Sequence, residues 1–388
     1  MKIFIIDPNN DVAQLNYPLS ESLIEKKKHD VTLITSFNLF HSRYYHGNYN
    51  ANPLYLFFLF ENKISNKSIR SFIKSLTYPF YNIVLLLNIF LRRPHVIHYN
   101  WLLFPPVDLI VIKLLRLFGK NVIVTQHNFT PHSKNKLRLG EYGIFTLADK
   151  IICLSEYVMS LFDKKFLPKL VHIPHGNCYG KEIDSFFKNR NDSNLNQNYD
   201  FQILFIGIIK PYKGIDLLLD TVPLLINRFN QKNFKIVIRG HCSQRDEERY
   251  LSIINQANIE SNVDFENKYL TNSEICEYIK ICDMGVIPYL EASQSGIPYL
   301  FYLFNKPLVL TNVGGLPEQA NNKISVLTQP HAKSLANGIV KLKKRIKNGE
   351  ILASNFDDEL SMVKWDTIID LYNQHYAEFN YDVGRNKR

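Results

Sequence analysis

A chain of 388 residues is too long for one ordinary hydrophobic core, so its length predicts two domains. The composition, 46% hydrophobic and 21% charged, is that of a soluble globular protein and excludes a fibrous or disordered chain. The formal charge of +10 favours phosphate-bearing partners. The basic residues are scattered, however, with neither an arginine-rich arm nor zinc-finger spacing, so we predict no nucleic-acid partner.

The cysteines and the first residues bear on the cellular compartment. The five cysteines form no C-x-x-C pair, which indicates reduced thiols and a cytoplasmic location. The segment 1–7 is too short for a signal peptide and is predicted to be the first strand.

The first half of the chain alternates strand-like apolar runs with helical patterns, which predicts a parallel sheet with crossover helices. The predicted strands are Lys2–Asp7, Asp30–Thr35, Val96–Asn100, Asn121–Gln126, Lys150–Leu154 and Val171–Pro174. Helices predicted between them include Phe104–Phe118 and Asn135–Leu147.

One apolar segment, Leu76 to Leu91, leaves two interpretations open. Pro79 and Asn82 interrupt it, and it is shorter than the roughly 20 apolar residues of a membrane-spanning helix. It is either a buried helix of an aromatic-rich domain or a helix that lies in the plane of an anionic membrane. The second interpretation draws on the basic residues upstream, which are Lys63, Lys67, Arg70 and Lys74.

The segment 181–200 is rich in Asn, Asp and Lys, and such a composition does not bury a core. We therefore predict a linker there, between a first domain at 1–180 and a second at 201–361. The strands predicted in the second domain are Phe201–Ile206, Phe234–Arg239, Val263–Glu266, Met284–Pro288, Pro307–Leu310 and Ile324–Leu327. The segment 362–388 contains an amphipathic aromatic run, Trp365 to Phe379, which we expect to pack back on the first domain.

A glycine-marked junction begins the second domain. An apolar strand runs into Gly207, a helix begins near Gly214, and Lys210 and Lys213 lie between the two glycines. Two ammonium groups near a helix N-terminus suit a diphosphate, and glycine lets the backbone approach it. A pair of solvated loop lysines is the alternative. We favour phosphate binding, with Lys213 as the better candidate.

A second junction follows a later strand, where Ser295 and Gly296 open an apolar helical run. Ser295 is a typical helix cap, and Gly296 would let phosphate oxygens approach backbone N–H groups. A cap without a ligand would have the same pattern. The neighbouring features that favour a ligand are Glu291, the pair Gly314-Gly315 and Glu318. Glu291 is a candidate for holding a sugar or ribose hydroxyl, and Glu318 either binds a ribose or caps a helix.

In the first domain, His127 stands at the carboxyl end of a predicted strand, where ligands of open α/β sheets bind. It is a candidate for contacting a sugar hydroxyl or transferring a proton, the alternative being a packed histidine bonded to the backbone. Asn128 and His132 follow it and are candidate acceptor-side residues. No carboxylate or third histidine has matching spacing, so we predict no metal site.

Three segments together resemble the donor domain of GT-B glycosyltransferases of family 4. They are Gly207…Lys210-Pro-Tyr-Lys213-Gly214, Pro288-Tyr-x-Glu291-x-Ser-x-Ser295-Gly296 and Lys306-Pro-Leu-Val-x-Thr-x-Val-Gly314-Gly315-Leu-Pro-Glu318. The strand that ends at His127-Asn128 and the segment Ile173-Pro-His-Gly176 resemble landmarks of the family's amino-terminal domain.

The resemblance implies two Rossmann-like, doubly wound parallel-sheet domains facing a cleft, the first for an acceptor and the second for a nucleotide-sugar donor. It implies retaining transfer of a sugar from a nucleoside diphosphate to an acceptor hydroxyl, with no obligatory metal or other cofactor. It assigns His127, Lys213 and Glu291 to catalysis. The donor-binding residues that it implies are Gly207, Lys210, Gly214, Ser295, Gly296, Gly314, Gly315 and Glu318.

The sequence departs from the family pattern at three places. Ile208 follows Gly207 where the family often has Arg, so Lys210 is expected to substitute. The second acid of the family's E-x7-E pair falls on Leu300 or Phe301. A glycine pair expected after the first strand is replaced by Pro8-Asn9-Asn10-Asp11.

We expect a transferase of bacterial surface-polysaccharide synthesis that acts on a sugar or lipid-linked sugar acceptor, in the cytoplasm and peripheral at the inner face of the plasma membrane. Two alternatives remain open, a sugar-nucleotide epimerase on the same scaffold and a non-catalytic sugar-nucleotide-binding protein. A Rossmann oxidoreductase is disfavoured because no G-x-G-x-x-G follows any predicted strand.

Overall fold

The structure is a computed structural model that describes residues 1–37, 49–127, 138–176, 201–227 and 233–381. The predicted linker at 181–200 lies outside these residues. The chain divides into two compact units, the first formed by Met1–Cys178 with Val363–Arg388 and the second by Tyr179–Met362.

Within the described residues, the first unit is built on a seven-stranded sheet in which neighbouring strands are parallel. Its strands are β1 (Lys2–Asp7), β2 (Asp30–Ser36), β3 (Pro53–Phe57), β4 (Val96–Tyr99), β5 (Asn121–Gln126), β6 (Lys150–Cys153) and β7 (Leu170–His172). The order across the sheet is β3-β2-β1-β4-β5-β6-β7. The inner strands are continuous apolar runs because a parallel sheet is covered on both faces.

Helices cover the two faces of this sheet. They are α1 (Ala13–Glu25), α2 (Lys67–Arg92), α3 (Pro105–Leu117), α4 (Glu141–Leu147) and α5 (Glu156–Ser160). Asn66 is the N-cap of α2, and its side chain accepts from two amides of the first turn. The helix buries only one side, through Tyr78, Asn82, Leu85 and Ile89. Its opposite side faces away from the core of this unit.

The described part of the second unit has a six-stranded parallel sheet of order β10-β9-β8-β11-β12-β13. The strands are β8 (Gln202–Ile206), β9 (Lys235–Gly240), β10 (Val263–Asn267), β11 (Met284–Ile287), β12 (Leu308–Thr311) and β13 (Ser325–Thr328). The helices are α6 (Ile215–Asn227), α7 (Gln244–Gln256), α8 (Asn272–Ile281), α9 (Ile297–Leu303), α10 (Ala332–Lys347) and α11 (Ser354–Ser361). A capping box of Thr271 and Glu274 starts α8.

Each sheet has one point where the strand order reverses direction, between β1 and β4 in the first unit and between β8 and β11 in the second. The chain leaves the carboxyl ends of two adjacent strands there in opposite directions, which opens a crevice. Ligands of open α/β sheets bind in such crevices. The topology therefore places one candidate ligand position in each unit.

The last described helix, α12 (Trp365–Tyr381), belongs to the first unit. It packs on α1 and buries Ile368, Ile369, Tyr372, Tyr376 and Phe379 in the core beside that helix. The hydroxyl of Tyr376 hydrogen-bonds Nδ1 of His98 at 2.7 Å. The aromatic run of this segment thus lies inside the first unit although it follows the second unit in sequence.

The prediction of two Rossmann-like parallel α/β sheets is confirmed. The strand β3 was not predicted, because it begins with a proline and lies in a run of apolar residues without alternation. Proline is tolerated there because β3 is an edge strand of its sheet. The predicted helix Asn135–Leu147 is shorter, beginning at Glu141 after the left-handed Gly140, and 135–137 lie outside the described residues.

Candidate functional site

The first glycine junction lies at the order reversal of the second sheet. Gly207 follows β8 with φ +121 and donates its amide to the carbonyl of Arg239 at 3.0 Å. A single helical turn, Pro211–Lys213, then leads to Gly214 and into α6. The Nζ of Lys213 lies 3.7 Å from the point that a Cβ on Gly207 would occupy. The Lys213 ammonium therefore sits against the Gly207 backbone.

Lys213 and Lys210 have different surroundings. Lys213 is half-buried, with its ammonium 5.2 Å from the centre of the Tyr289 ring, a distance typical of a cation–π contact. Lys210 is exposed, as is its neighbour Ile208. The Lys213 ammonium thus packs against the site, and Lys210 is a solvent-facing cation at the edge of the same turn.

Gly214 joins the first junction to the second. It has φ +69, and an added Cβ would lie 2.0 Å from the carbonyl oxygen of Pro288. The amide of Leu290 donates to the carbonyl of Tyr212 at 2.7 Å. The loops after β8 and β11 are therefore in direct contact, and only glycine provides the left-handed backbone without a side chain at this approach.

The second junction is held by a buried glutamine. Gln319 accepts from the Ser295 amide at 2.8 Å and donates to the Ser295 carbonyl at 2.6 Å. The Ser295 hydroxyl accepts from the amide of Ile297, the first residue of α9, at 3.2 Å, and the N-cap position of that helix is Gly296. The Gly315 amide donates to the Ala292 carbonyl at 3.0 Å. The Gly314-Gly315 turn and the Ser295-Gly296 turn are thus linked in one structure.

The candidate acids of this site lie at its surface. Glu291 and Glu318 are both exposed, Glu291 four residues after the end of β11 and Glu318 in the helical turn Leu316–Gln319. Leu300 and Phe301 are buried in α9, each 1% exposed. The structure therefore has an apolar core contact at the positions where the family's second acid was sought.

In the first unit, His127 immediately follows β5 and is buried. Its Nε2 donates to the carbonyl of Asn100 at 2.8 Å, and its ring lies 5.2 Å from that of Trp101. Burial lowers the pKa of His127 to about 4, so the imidazole is neutral near pH 7 and Nδ1 is left as an acceptor. The other acceptor-side candidates, Asn128 and His132, lie outside the described residues.

The turn after β1 lacks the glycine pair of the family, and other residues form it. Asn10 adopts the left-handed conformation, with φ +58, which asparagine tolerates better than most residues. The buried carboxyl of Asp7 accepts from the amides of Asp11 and Val12 and from the Asn16 side chain. Burial, with Asp11 nearby, raises the pKa of Asp7 to about 7.

Sequence reasoning missed three residues that shape the second-unit site. Gln319 fastens the Ser295 turn, and its only signal in the sequence was its place next to Glu318. His241 and Tyr269 stack at 3.8 Å between ring centres, just beyond the carboxyl ends of β9 and β10. No local pattern pairs them, because the two strands are brought side by side only by the sheet.

Chemically, the contacting junctions place the Lys213 ammonium at the carboxyl edge of a parallel sheet, while the amides of Gly207, Ser295 and Gly315 already donate within the protein. Such an arrangement stabilises negative charge on phosphoryl oxygens. Among the residues that the structure describes, no three His, Cys, Asp or Glu side chains converge as metal ligands do.

The chain is similar to known proteins in sequence and in structure. Residues 200–345 match the family described as "Glycosyl transferases group 1". An uncharacterized glycosyltransferase of Methanocaldococcus jannaschii is 27% identical over 207 residues, which are 51% of this chain and 52% of that protein. The chain thus spans about half the length of the curated relatives that it matches.

Two solved structures superpose on nearly the whole chain. A glycosyltransferase from Rickettsia africae ESF-5 has a TM-score of 0.71 at 15% identity, covering 97% of this chain and 98% of that chain. Anabaena HepE in complex with UDP has a TM-score of 0.70 at 13% identity, covering 97% of this chain and 99% of that chain. At these identities the similarity shows the fold.

Proposed function

We propose that this chain, a GT-B protein whose residues 200–345 match the group 1 glycosyltransferases, is a retaining glycosyltransferase of family 4. It would move a sugar from a nucleoside-diphosphate sugar to an acceptor hydroxyl, without an obligatory metal. One observation carries the proposal. The turns after β8 and β11 touch at the order reversal of the second sheet, with the Lys213 ammonium against Gly207.

In the proposed reaction, negative charge develops on the diphosphate as it leaves the sugar. The bond between the anomeric carbon and the diphosphate oxygen breaks as the acceptor oxygen bonds to that carbon from the same face, and the hydroxyl proton passes to the diphosphate. The Lys213 ammonium, which lies against the Gly207 backbone, would stabilise the leaving diphosphate. Glu291 would hold a sugar hydroxyl, and the neutral His127 would accept a hydrogen bond from a hydroxyl through Nδ1.

The donor class is supported by the ligand that one structural neighbour is described with, which is UDP in Anabaena HepE. For this chain the nucleotide is tested by thermal unfolding with UDP, GDP and their sugar conjugates. A ligand at a hundred times its dissociation constant raises the free energy of unfolding by about 2.7 kcal/mol. We expect one nucleotide family to raise the melting temperature of the wild-type protein.

Lys213→Ala should abolish that stabilisation, because the ammonium nearest the proposed diphosphate is lost. Lys341→Ala, at an exposed position of α10 in the same unit, is the matched control and should retain it. Full nucleotide stabilisation of Lys213→Ala would contradict the assignment of the site.

A second candidate function has one specific observation in its favour. Leu300 and Phe301 are buried apolar side chains where the family's second acid was sought, which favours a non-catalytic sugar-nucleotide-binding protein. Release of the nucleoside diphosphate, measured with and without acceptor, separates the functions. A transferase releases it faster with acceptor, a binding protein releases none, and an epimerase converts the sugar nucleotide without needing an acceptor.

We further propose that the protein acts at the cytoplasmic face of a bacterial membrane, in surface-polysaccharide synthesis. The helix α2 supports this location because the side that faces away from the core is apolar. Its exposed apolar side chains recur every three or four residues and are Ile69, Phe72, Leu76, Phe80, Ile83, Leu87 and Leu91, each between 52% and 81% exposed. Phe118, beyond the end of α3, is also exposed and packs edge-on against Phe90.

Charge favours an anionic bilayer over a second copy of this chain as the partner of that face. The segment 62–93 contains six Lys and Arg residues, near both ends of α2, and no Asp or Glu. Two copies packed through α2 would bring cations against cations in either orientation, whereas anionic headgroups attract them. By length and composition α2 could cross a membrane. Its other side is built into the core, so we propose that it lies in the membrane plane.

A further inference from the structure

A pocket of about 320 Å³ opens in the first unit between α2 and the turn after β1. Its lining residues are Asn9, Lys67, Arg70, Ser71, Lys74, Ser75, Tyr78, Leu103 and Phe104. Three of these carry a positive charge, three carry a hydroxyl group, and none is an acid. The volume is at the lower end of small-molecule sites, large enough for a sugar phosphate.

The pocket lies at the order reversal of the first sheet. Asn9 is two residues beyond the end of β1, and Leu103 is four residues beyond the end of β4. These two strands are neighbours across which the strand order reverses. The pocket therefore occupies the position in this unit at which an open α/β sheet binds its ligand.

Contacts fix two of the three cations in the pocket wall. The guanidinium of Arg70 donates to the Ile64 carbonyl at 3.0 Å through one nitrogen. The ammonium of Lys74 donates to the Asn9 side chain at 2.5 Å and lies 4.4 Å from the centre of the Phe58 ring. Lys67 is exposed at the first position of α2. Arg70 keeps further N–H donors for a ligand, because a guanidinium has five.

Two nearby acids partly offset the charge of Lys74, whereas Arg70 repels it. Asp11 and Glu61 act on Lys74 from outside the pocket lining, and both favour its charged form. Burial opposes them and lowers the pKa of Lys74. A further anion in the pocket would stabilise the ammonium in its partly buried position. The electrostatic balance thus favours an anionic ligand over a neutral sugar.

We propose that this pocket binds the phosphate group of a phosphate ester, and that the ester is the acceptor substrate. The second part rests on the proposed glycosyltransferase function. The Ser75 hydroxyl already donates to the Phe72 carbonyl and the Asn9 amide to the Asp11 carboxylate, which leaves the three cations and the Ser71 hydroxyl for a ligand. These groups still offer more donors than one carboxylate can accept, whereas a phosphate offers three acceptor oxygens. A phosphate ester also provides a bulkier group for the remaining volume beside Leu103 and Phe104.

Two sources supply a phosphate group, a free or sugar-bound phosphate and a lipid phosphate at a membrane surface. The exposed apolar side of α2 lies on the same helix as the three cations, so an in-plane helix would carry the pocket to the depth of lipid headgroups. The two sources differ in whether an alkyl chain contributes to binding.

Isothermal titration calorimetry of the full chain with octyl phosphate and with inorganic phosphate tests the proposal. Lys67→Gln, Arg70→Gln and Lys74→Gln should each weaken octyl phosphate binding, by tenfold or more for the two cations fixed in the wall. Lys67 is exposed, so its substitution does not endanger folding. Lys113→Gln, an exposed cation of α3, is the control and should bind as the wild type does.

Octyl phosphate binding at least tenfold tighter than inorganic phosphate would identify a lipid phosphate as the source, and equal binding would identify a free phosphate. The proposal is overturned if the three pocket variants bind octyl phosphate as tightly as the wild type, or if Lys213→Ala alone abolishes binding. The nucleotide measurements depend on Lys213 and not on the pocket. Failure of the donor proposal and failure of the phosphate pocket are therefore distinguishable.

Discussion

At the scale of single residues, the candidate donor site depends on a backbone position that only glycine fills. Gly214 has a left-handed conformation, and any Cβ there would collide with the Pro288 carbonyl that belongs to the other turn. Gly349 has nearly the same φ, +68, but an added Cβ would meet nothing within 4 Å. Substituting each glycine therefore separates two contributions to the free energy of unfolding, the left-handed conformation and the close approach to the Pro288 carbonyl.

We predict that Gly349→Ala lowers the free energy of unfolding by about 1 kcal/mol, which is the cost of a left-handed alanine. Gly214→Ala should lower it by roughly 3 kcal/mol or more, because the two turns must also move apart. It should further abolish stabilisation by nucleotide. Urea unfolding with and without the nucleotide measures both effects. Equal costs for the two variants would show that the contact with Pro288 is not needed.

At the scale of secondary-structure elements, α2 is unusual because it is apolar on two opposite sides. One side packs in the core and the other is exposed, and the cations lie near its two ends. The sequence left a buried helix and a membrane-surface helix as alternatives. The structure shows burial on one side and a second apolar side without a partner among the described residues, and the membrane-surface helix stays a prediction.

We predict that the double variant Leu76→Glu, Phe80→Glu binds vesicles of phosphatidylglycerol and phosphatidylcholine at least tenfold more weakly than the wild type, as measured by sedimentation. The substitutions place two charges on the exposed apolar side, where insertion would require their desolvation. Leu352→Glu, at a position 58% exposed in the second unit, is the matched control. Binding should also weaken as salt is added.

Vesicle binding that survives both substitutions, or that is the same on neutral vesicles, would contradict the proposed in-plane contact.

At the scale of the whole molecule, the first unit is completed by α12, which follows the second unit in sequence. Tyr376 of α12 hydrogen-bonds His98, whose other ring nitrogen lies 2.7 Å from the Thr125 hydroxyl. Burial, with His127 nearby, lowers the pKa of His98 to about 3. Burial likewise lowers the pKa of His127 to about 4, so both imidazoles are held neutral inside this unit.

These pKa values predict a loss of stability in acid. Below the ordinary histidine pKa of 6.5 the unfolded chain binds protons that the folded protein does not, so the free energy of unfolding falls as the pH decreases from 6.5 towards 4. Each imidazole should account for about 2 kcal/mol between pH 7.5 and pH 5. Above about pH 6.5 the histidines no longer lower the free energy of unfolding.

Two buried carboxyl groups have the opposite effect on the pH dependence of stability. Burial raises the pKa of both Asp7 and Asp108 to about 7, which reduces stability as the pH rises from 4 to 7. The prediction therefore concerns the difference in acid stability between the wild type and the histidine variants. Urea unfolding of the first unit at pH 7.5 and pH 5 should show a smaller acid loss in His98→Gln and in His127→Gln than in the wild type. An identical loss in all three would exclude the histidines as its cause.

The alternation of strand and helix, most strand boundaries and the two glycine junctions followed from the sequence alone. Short-range properties determine them, namely apolar runs that suit a sheet covered on both faces, capping residues, and glycine at left-handed turns. The resemblance to GT-B glycosyltransferases rested on those same local segments. The GT-B fold is confirmed and residues 200–345 match the group 1 glycosyltransferases, whereas family 4 stays a prediction. The strand β3 was missed because its apolar run has no alternation and begins with proline.

Strand order, by contrast, was decided only in the tertiary structure, because it depends on which crossover packs on which face and leaves no local pattern. That order puts the turns after β8 and β11 in contact and brings the α2 cations to the turn after β1. It also explains why Gln319 and the His241–Tyr269 pair escaped sequence reasoning. Their partners lie more than twenty residues away, joined to them through the sheet.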